Sequence, residues 1–462
     1  MLDRGRRLVG GSPLRVLRLS DAMAEEVRTG TITVTDARTA LVAERLLAAD
    51  IALPVVESDV ADPPVPDLTV VIPTQDRAES LDRALRALDT EARWRVIVVD
   101  DGSERPSAVE RMAVEHSADY LRLPTNRGPA AARNAGLARV RTPLVAFVDS
   151  DVEVSAADLG TLARHFDDSR VALVAPRVKG RTDGSHARWF ERYDAAASSL
   201  DLGSRHALVR PGSAVSYLPS ACLVGRRSAL RDGFDESMRV GEDVDLVWRL
   251  LDDGHHVRYD PSVVAHHRVR DSMRGWLGRK VAYGSSAAAL AERHGDAVAP
   301  AVLTPNIAVA AALVLWCRPR SVAVGLALTV PMWRRLSHEF PGASHLPLQL
   351  TFRSLTWGVR QEASLLLRHW WPATALLMLG SPRMRRVVIS ASLVDAVVAA
   401  HDRPDLDVVG LVIGRRLDDL AYGIGVWLGC LATGRWQALR PRLVSTRPRS
   451  RAPRIPRATR AG

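Results

Sequence analysis

The residues best suited to chemistry are two carboxylates, one residue apart, near position 150. Residues 144–148 carry only apolar side chains (L-V-A-F-V), and Asp149 and Asp151 follow in D-S-D. A short apolar run is typical of a strand covered on both faces, as in the middle of a parallel sheet. Ligands bind beyond the carboxyl ends of such strands, so we expect the aspartates to hold a hard divalent cation, Mg²⁺ or Mn²⁺, with substrate phosphates. The alternative is a solvated turn.

Two upstream segments add groups that suit a nucleotide. Asp100 and Asp101 end another predicted strand (V-V-D-D-G-S), where carboxylates can accept hydrogen bonds from a ribose or a base. The segment N-R-G-P-A-A-A-R-N-A-G-L then starts a helix near Asn126, with small side chains that allow close approach and with Arg133 within reach of a diphosphate. Each segment alone is more typical of a turn or a helix start. Their order before D-S-D favours one site.

Further along, G-E-D-V-D-L-V-W-R-L-L predicts a helix over residues 241–251. Its first turn carries Glu242 and Asp243, where the helix dipole favours negative charge. A general base that takes a proton from an acceptor hydroxyl must be ionised, and this position helps it to be so. The alternative is an ordinary helix start, with Asp245 and Arg249 paired on the surface.

Two adjacent histidines end a later apolar strand (Y-D-P-S-V-V-A-H-H). If His266 or His267 points toward Asp151, it completes a cation site with oxygen and nitrogen ligands. The alternation of side chains along a strand does not decide which of the two histidines faces inward. The alternative to a metal ligand is that both histidines are ordinary polar surface residues. The basic and aromatic segment 274–284 then either covers a sugar diphosphate or forms an amphipathic helix.

Alternating strands and helices must position these groups. Apolar runs predict strands at 68–73, 94–99, 120–123 and 144–148, and helical spacing predicts helices at 78–88, 108–116 and 129–140. The alternation is typical of βαβ units, so we expect an α/β domain with a mostly parallel sheet flanked by helices. No G-x-G-x-x-G follows the first strand, which disfavours a dinucleotide-binding fold.

The chain divides into five predicted segments. They are a small N-terminal module (1–56), an acidic Pro-rich linker (57–67), the α/β domain (68–290), an apolar helical region (291–433) and a disordered Arg/Pro-rich tail (434–462). In the module, a helix that ends at Gly30, a period-two strand at 31–35 (T-I-T-V-T) and a second helix indicate a winged-helix-like fold. Such modules bind DNA or peptides, or only pack against the rest of the protein. Because this module has no evident basic recognition helix, DNA is the least favoured of these alternatives.

Charge and cysteine usage exclude two classes of protein. The net charge is +11, but residues 434–462 hold nine arginines and no acid, so the rest of the chain is close to neutral. We therefore expect no nucleic-acid partner. Three scattered cysteines, Cys222, Cys317 and Cys430, favour a reducing compartment over a disulfide framework. No apolar run typical of a secretory signal follows the N-terminal arginines, so we expect a cytoplasmic protein.

The apolar C-terminal region leaves three alternatives open. Residues 297–317 carry no charge, but they contain Pro300, Pro305 and Asn306, and the next apolar run, 321–333, is too short to cross a bilayer alone. The region is a helical domain docked on the inner face of the cell membrane, a spanning hairpin, or a wholly soluble helical domain. Interfacial helices would suit an acceptor near the membrane.

The ordered motifs V-V-I-P-T, V-V-D-D-G-S, N-R-G-P-A-A-A-R-N-A-G-L, F-V-D-S-D and G-E-D-V-D-L-V-W-R-L resemble those of the family 2 glycosyltransferases over residues 68–284. The resemblance implies a GT-A fold and an inverting transfer of a sugar from a nucleotide-diphosphate donor, with a divalent metal. Carried over by motif, it implies that Asp100 or Asp101 binds the nucleoside, that Asp149 and Asp151 bind the ribose and the metal, and that Asp243 is the base. Taken with the residue patterns above, we expect Glu242 and Asp243 to be the catalytic acids and the metal to be bound by Asp149, Asp151 and His266 or His267. We expect the donor to be bound by Pro73, Thr74, Asp100, Asp101, Asn126, Arg133 and Asp149. No Q-x-x-R-W element follows the E-D helix, which disfavours a processive polymer synthase.

The domain order resembles a narrower group, the glycosyltransferases of the mycofactocin system. In that group a small module similar to peptide chaperones precedes the transferase, and a long C-terminal region follows. The resemblance implies transfer of glucose to a peptide-derived redox-cofactor precursor. Two alternatives are a cell-envelope glycan or lipid-linked acceptor, and a peptide-binding module without turnover.

Overall fold

The computed structural model describes residues 6–444 except 13, 56–66, 89–93, 183, 185–186, 341 and 344. The predicted linker (57–67, apart from its last residue) and the tail beyond residue 444 lie outside the described residues. The chain forms two compact units. The first contains Met1–Val298 and Ala396–Leu439, and the second contains Ala299–Asp395 and Arg440–Gly462.

The N-terminal module is a β-hairpin followed by two helices. Its elements are β1 (Arg7–Gly10), β2 (Arg15–Arg18), α1 (Asp21–Arg28) and α2 (Ala37–Ala48). Each helix begins at a capping side chain, Ser20 for α1 and Asp36 for α2, which accepts a hydrogen bond from the first turn. The strand predicted at 31–35 is wrong, because those residues have no regular secondary structure and no strand partner, and most are exposed. An alternating pattern makes a strand only where another strand pairs with it.

The α/β domain is built on a nine-stranded sheet. Its strands are β3 (Leu68–Thr74), β4 (Arg95–Asp101), β5 (Asp119–Leu123), β6 (Leu144–Val148), β7 (Val152–Glu153), β8 (Val171–Arg181), β9 (Ala207–Leu208), β10 (Cys222–Arg226) and β11 (His256–Arg268). Their order is β5-β4-β3-β6-β10-β8-β11-β7, with β9 also paired to β11. Strands β3 to β6 run parallel, as do β8 and β11, whereas β10 is antiparallel to both of its neighbours. The predicted mostly parallel sheet is confirmed.

Helices cover both faces of this sheet. They are α3 (Ala78–Leu88), α4 (Pro106–Glu115), α5 (Pro129–Leu137), α6 (Ala156–Ala163), α7 (Trp189–Ala196), α8 (Glu242–Asp252) and α9 (Met273–His294). Successive residues of β3 enter opposite cores: Ile72 packs with Leu81 of α3, and Val71 packs in the cluster that contains Leu246 of α8. Because both faces are covered, every residue of β3 is buried, which explains its continuous apolar run.

The second unit is mostly helical. Its elements include β12 (Val302–Leu303), α10 (Pro305–Leu315), α11 (Pro319–Ala327), α12 (Val330–Glu339), α13 (Leu346–Ser364), a π-turn (Leu365–His369), α14 (Trp371–Gly380) and most of α15 (Pro382–Asp402). The uncharged run 297–317 is therefore divided among a short turn, β12 and α10, and the alternative of a spanning hairpin is wrong. Among residues that the structure describes, no helix is both long and apolar enough to cross a bilayer.

Helix α16 (Val408–Thr433) belongs to the first unit, where it packs along α9. A Cβ atom added at Gly425 would lie 2.0 Å from the carbonyl oxygen of Val281, so the two backbones are in direct contact. Near this crossing, Asp418 of α16 pairs with the buried Lys280 of α9 at 3.1 Å. The region predicted as one segment over 291–433 is thus split between the two units.

Candidate active site

The D-S-D carboxylates lie where β6 ends. Asp149 leaves the strand with its backbone N–H bonded to Ala221 O at 2.9 Å, and the chain then enters β7. Strand β7 pairs with the end of β11, so that Val152 lies opposite His267, and Arg268 N donates to Asp151 O at 3.3 Å. The sheet therefore brings the D-S-D loop and the two histidines together.

The two histidines face different surroundings. His266 is exposed, whereas His267 is partly buried and its Nδ1 atom has no hydrogen-bond partner within the described part of the chain. His267 lines a cleft of about 340 Å³ together with Asp194, Ser199, Arg279, Lys280 and Tyr283. His267 is thus the inward-facing histidine, which sequence alternation left open.

A fully formed metal site is not present in the described ranges, where no group of three or more histidine, cysteine or acidic side chains is close enough to hold an ion. Asp149 and Asp151 offer carboxylate oxygens, and His267, whose Nδ1 is unpartnered among the described residues, lies on the strand that pairs with the residues following Asp151. This donor set suits a divalent cation. The metal roles of these residues and of His266 stay predictions.

Asp151 has a cationic partner that the sequence analysis missed. Arg77 Nη1 lies 2.5 Å from Asp151 Oδ2. The loop before it is held because Asp76, at φ 52°, accepts from the backbone N–H groups of Glu104 and Arg105 at 2.8 and 3.2 Å. The one sequence signal for Arg77 was its place just after a predicted strand.

Arg133 lies at the centre of a buried network of charges. Its guanidinium donates to Asp149 Oδ1 at 2.7 Å and to Glu242 Oε1 at 2.9 Å, and it lies over the ring of Phe234. Burial lowers the pKa of Arg133, but the charges of Asp149 and then Glu242 raise it by more than burial lowers it. The pKa is therefore above its usual range, and the group stays charged. With its side chain only 3% exposed, Arg133 links the D-S-D loop to the start of α8. Its predicted contact with the donor stays a prediction.

The other predicted donor-binding residues lie around the ends of β3 and β4. Asp100 accepts from Ser103 N at 2.9 Å and Tyr120 OH at 2.7 Å, and Asp101 accepts from the N–H groups of Arg127 and Gly128, both at 2.8 Å. Both carboxylates therefore shape the turns at this edge. Pro73 and Thr74 end β3, where Thr74 Oγ1 is buried without a hydrogen-bond partner among the described residues, and Asn126 is exposed in the turn before α5.

Helix α8 begins with the two predicted catalytic acids. Gly241 precedes it at φ 85°, a backbone conformation that favours glycine. Asp243 is partly buried and accepts from Ser220 N at 3.2 Å and Val244 N at 2.8 Å. Burial raises the pKa of Asp243, against the lowering effects of the Ser220 N–H and Arg133.

Glu242 has a different environment from Asp243. Burial, followed by the charge of Asp243, raises the pKa of Glu242 to about 7, against the lowering effect of Arg133. Asp245 pairs with Arg249 at 2.8 Å, as in the alternative of an ordinary helix start. However, Asp245 is buried, so its pair with Arg249 is not on the surface. Asp245 also pairs with His294 at 2.9 Å, and this second contact anchors α8 to α9.

Helix α9 supplies residues that the sequence analysis placed only in a general basic segment. The guanidinium of Arg279 lies 3.4 Å from the hydroxyl of Tyr283, and both side chains line the cleft with His267. Burial lowers the pKa of Arg279, but Tyr283, Asp151 and Asp149 raise it overall. Arg279 is therefore a cation near the D-S-D carboxylates.

We expect Glu242→Gln to flatten the pH dependence of stability between pH 4.5 and 7. The unfolded carboxyl has a pKa of 4.5 and the folded one a pKa of about 7, so the folded protein retains a proton that the unfolded chain releases. This contribution to stability is present below pH 4.5 and is lost as the pH rises through 7. Urea unfolding of both proteins at several pH values measures it, and parallel curves would contradict the expectation.

Comparisons with known proteins identify relatives of this chain. The model of the glycosyl transferase family 2 matches residues 69–234. The chain is 41% identical over 463 residues to a protein named pre-mycofactocin glycosyltransferase from Mycobacterium tuberculosis, covering 96% of each chain. It is also 31% identical over 218 residues to an uncharacterized glycosyltransferase of Mycobacterium bovis, covering 45% of this chain and 92% of that one.

A solved structure gives a more distant likeness. It is a mannosyltransferase from Pyrobaculum calidifontis in complex with GDP-Man and Mn²⁺, 20% identical, with a TM-score of 0.39 over 74% of this chain and 89% of that chain. The GT-A type of fold expected from the motifs, with its mostly parallel sheet and flanking helices, agrees with the strand order described above. The motifs, the sheet that assembles them and the similarity along nearly the whole chain establish that this protein belongs to the family 2 glycosyltransferases.

Proposed function

We propose that the protein is an inverting glycosyltransferase of mycofactocin biosynthesis, which moves glucose from a nucleotide-diphosphate donor to a peptide-derived redox-cofactor precursor. The observation that carries the proposal is the network in which Arg133 joins Asp149 of the D-S-D loop to Glu242, next to Asp243. This network links the predicted donor end of the site to the residue that directly precedes the predicted base. The similarity to the mycobacterial relative extends over the N-terminal module and the C-terminal region as well.

The chemistry is a single displacement at the anomeric carbon. Asp243 accepts the proton of the acceptor hydroxyl while the hydroxyl oxygen forms a bond to that carbon from the face opposite the diphosphate. The bond between the carbon and the diphosphate oxygen breaks, and the electron pair leaves with the nucleotide diphosphate. A divalent cation held by Asp149, Asp151 and His267 would neutralise charge on that group. Arg279 supports the same leaving group from α9.

Replacing Arg77 by Met should strengthen Mn²⁺ binding to the protein without donor. The Arg77 guanidinium pairs with the Asp151 carboxylate at 2.5 Å, so a metal cation must displace the guanidinium or share the carboxylate with it. A partly exposed pair of this kind contributes up to about 1 kcal/mol, which corresponds to an increase in affinity of about fivefold. Electron paramagnetic resonance of free Mn²⁺ in a titration measures it. Arg95→Met, which removes the exposed pair with Asp119, is the matched control, and unchanged affinity in Arg77→Met would refute competition.

The acceptor is best tested by product analysis. A panel of nucleotide sugars is offered with a peptide-derived precursor in one series and a polyprenyl-linked acceptor in another, and products are identified by mass spectrometry. A hexose mass increment on the peptide-derived precursor supports the proposal. Transfer only to the lipid-linked acceptor favours the cell-envelope alternative, and calorimetry without any donor binding would favour a peptide-binding module.

We place the reaction in the cytoplasm at the inner face of the cell membrane. An exposed apolar surface in the second unit of the chain supports a location at the membrane. It does not enter the chemistry of the transfer.

A further inference from the structure

Helix α14 has an apolar and exposed surface. Its ten residues, W-P-A-T-A-L-L-M-L-G, carry no charge. Leu376 is 70% exposed, Leu377 54% and Leu379 82%. Neighbouring exposed leucines on an uncharged helix are costly in water, and such patches mark contact sites for a partner or a membrane.

Three arginines follow directly at the start of α15. Arg383 and Arg385 are exposed and Arg386 is partly so. None of the three forms an ion pair with any residue in the described part of the chain. A cluster of unneutralised positive charge thus adjoins the exposed leucines within one helix–turn–helix segment.

The apolar patch continues onto α15. Ile389 is 56% exposed and Leu393 is 61% exposed, and their spacing of four residues places them on one side of the helix. The opposite side, which includes Ala391, packs into the core with Leu355 and Val359 of α13. The outer side of α15 is therefore left open by the fold of its own unit.

The length of α14 limits how it can meet a bilayer. Ten residues of helix extend about 15 Å, half of the hydrocarbon thickness. Such a helix can lie in the interface with its leucines among the acyl chains, while adjacent arginines contact anionic headgroups. A second copy of the chain would bury leucines equally well, but it would bring two arginine clusters toward each other if the contact is symmetric.

We propose that α14 and the first half of α15 form a docking surface for an anionic membrane, with Leu376 and Leu379 inserted and Arg383, Arg385 and Arg386 bound to headgroups. This surface goes beyond sugar transfer, since it lies in the second unit, and it would bring the enzyme to the membrane face assumed in the proposed function. Binding can be measured without donor or acceptor. A negative result would therefore leave the transferase proposal intact.

Cosedimentation of the full chain with vesicles tests the proposal. One set contains phosphatidylglycerol and phosphatidylcholine, and the other contains phosphatidylcholine alone. We expect at least tenfold tighter binding to the anionic set, a tenfold or greater loss in Arg383→Gln/Arg385→Gln/Arg386→Gln, and a similar loss in Leu376→Ser/Leu379→Ser.

Matched controls distinguish this surface from general charge. Arg28→Gln/Arg86→Gln/Arg111→Gln removes three exposed charges from other helices, and Leu41→Ser removes an exposed leucine from α2. Both controls should bind as the unchanged protein does, and thermal unfolding checks that all variants are folded. Equal binding to both vesicle sets, equal losses in the controls, or a dimer in sedimentation equilibrium that Leu376→Ser/Leu379→Ser disrupts would each overturn the proposal.

Discussion

Asp243→Asn should lower turnover by about a thousandfold, because the amide cannot accept the proton of the acceptor hydroxyl and general-base catalysis contributes roughly 10²- to 10⁴-fold. The substitution preserves the shape of the side chain, but Ser220 N and Val244 N donate to different oxygens of the carboxylate, so the amide oxygen can keep only one of these two contacts. Because Asp243 is proposed to act on the acceptor hydroxyl and not on the donor, donor binding should change little. Steady-state kinetics with saturating donor, with calorimetry of donor binding, measures both effects.

The control for this substitution is on the same helix. Asp252 is the last residue of α8 and is exposed, so Asp252→Asn makes the same change of charge away from the site. It should keep turnover within about twofold, since surface substitutions of this kind have small effects. Full turnover in Asp243→Asn would eliminate this residue as the base and direct attention to Glu242.

Arg133→Met should destabilise the protein by about 3–5 kcal/mol, because removing one partner of a buried ion pair leaves the other charge without compensation. Two carboxylates are affected, since Arg133 bonds both Asp149 and Glu242. The variant should also lose most of its activity, because without the Arg133 guanidinium these two carboxylates are no longer joined and the D-S-D loop is no longer held against α8. Urea unfolding monitored by circular dichroism measures the free energy of unfolding.

Two further variants make the Arg133 result specific. Arg133→Lys keeps the charge but lacks the planar fork that bonds two carboxylates at once, so we expect a smaller loss than in the Met variant. Arg95→Met removes an exposed pair with Asp119 and should cost at most about 1 kcal/mol. If Arg133→Met and Arg95→Met lose similar stability, the network is not the buried link that its distances indicate.

The positions of individual strands and helices could be predicted well where both faces of a strand are covered, or where residues that interrupt regular structure mark the ends of an element. The strand at 144–148 and the helix at 78–88 have the predicted bounds. A strand inside a two-sided core must be apolar at every position, so its run and its polar ends are visible in the chain itself. The same logic located Asp149 and Asp151 at the end of a strand.

Pairing across the chain was not predictable from such patterns. The period-two segment at 31–35 has the alternation of a strand but no partner, and β10 enters the sheet antiparallel between β6 and β8. Local periodicity describes which side chains are apolar, whereas strand pairing depends on residues that are far apart in sequence. The packing of α16 against α9 is another contact of this kind.

The sequence by itself determined the chemistry that is present: the paired aspartates, the acids that start a helix and the family to which their order belongs. Tertiary structure decided which of these groups meet. It turned His267 inward and His266 outward, placed Arg77 on Asp151, and buried Arg133 between Asp149 and Glu242. The physical reason is that residue types and local spacing set what a side chain can do, while burial and long-range pairing set its partners and hence its charge.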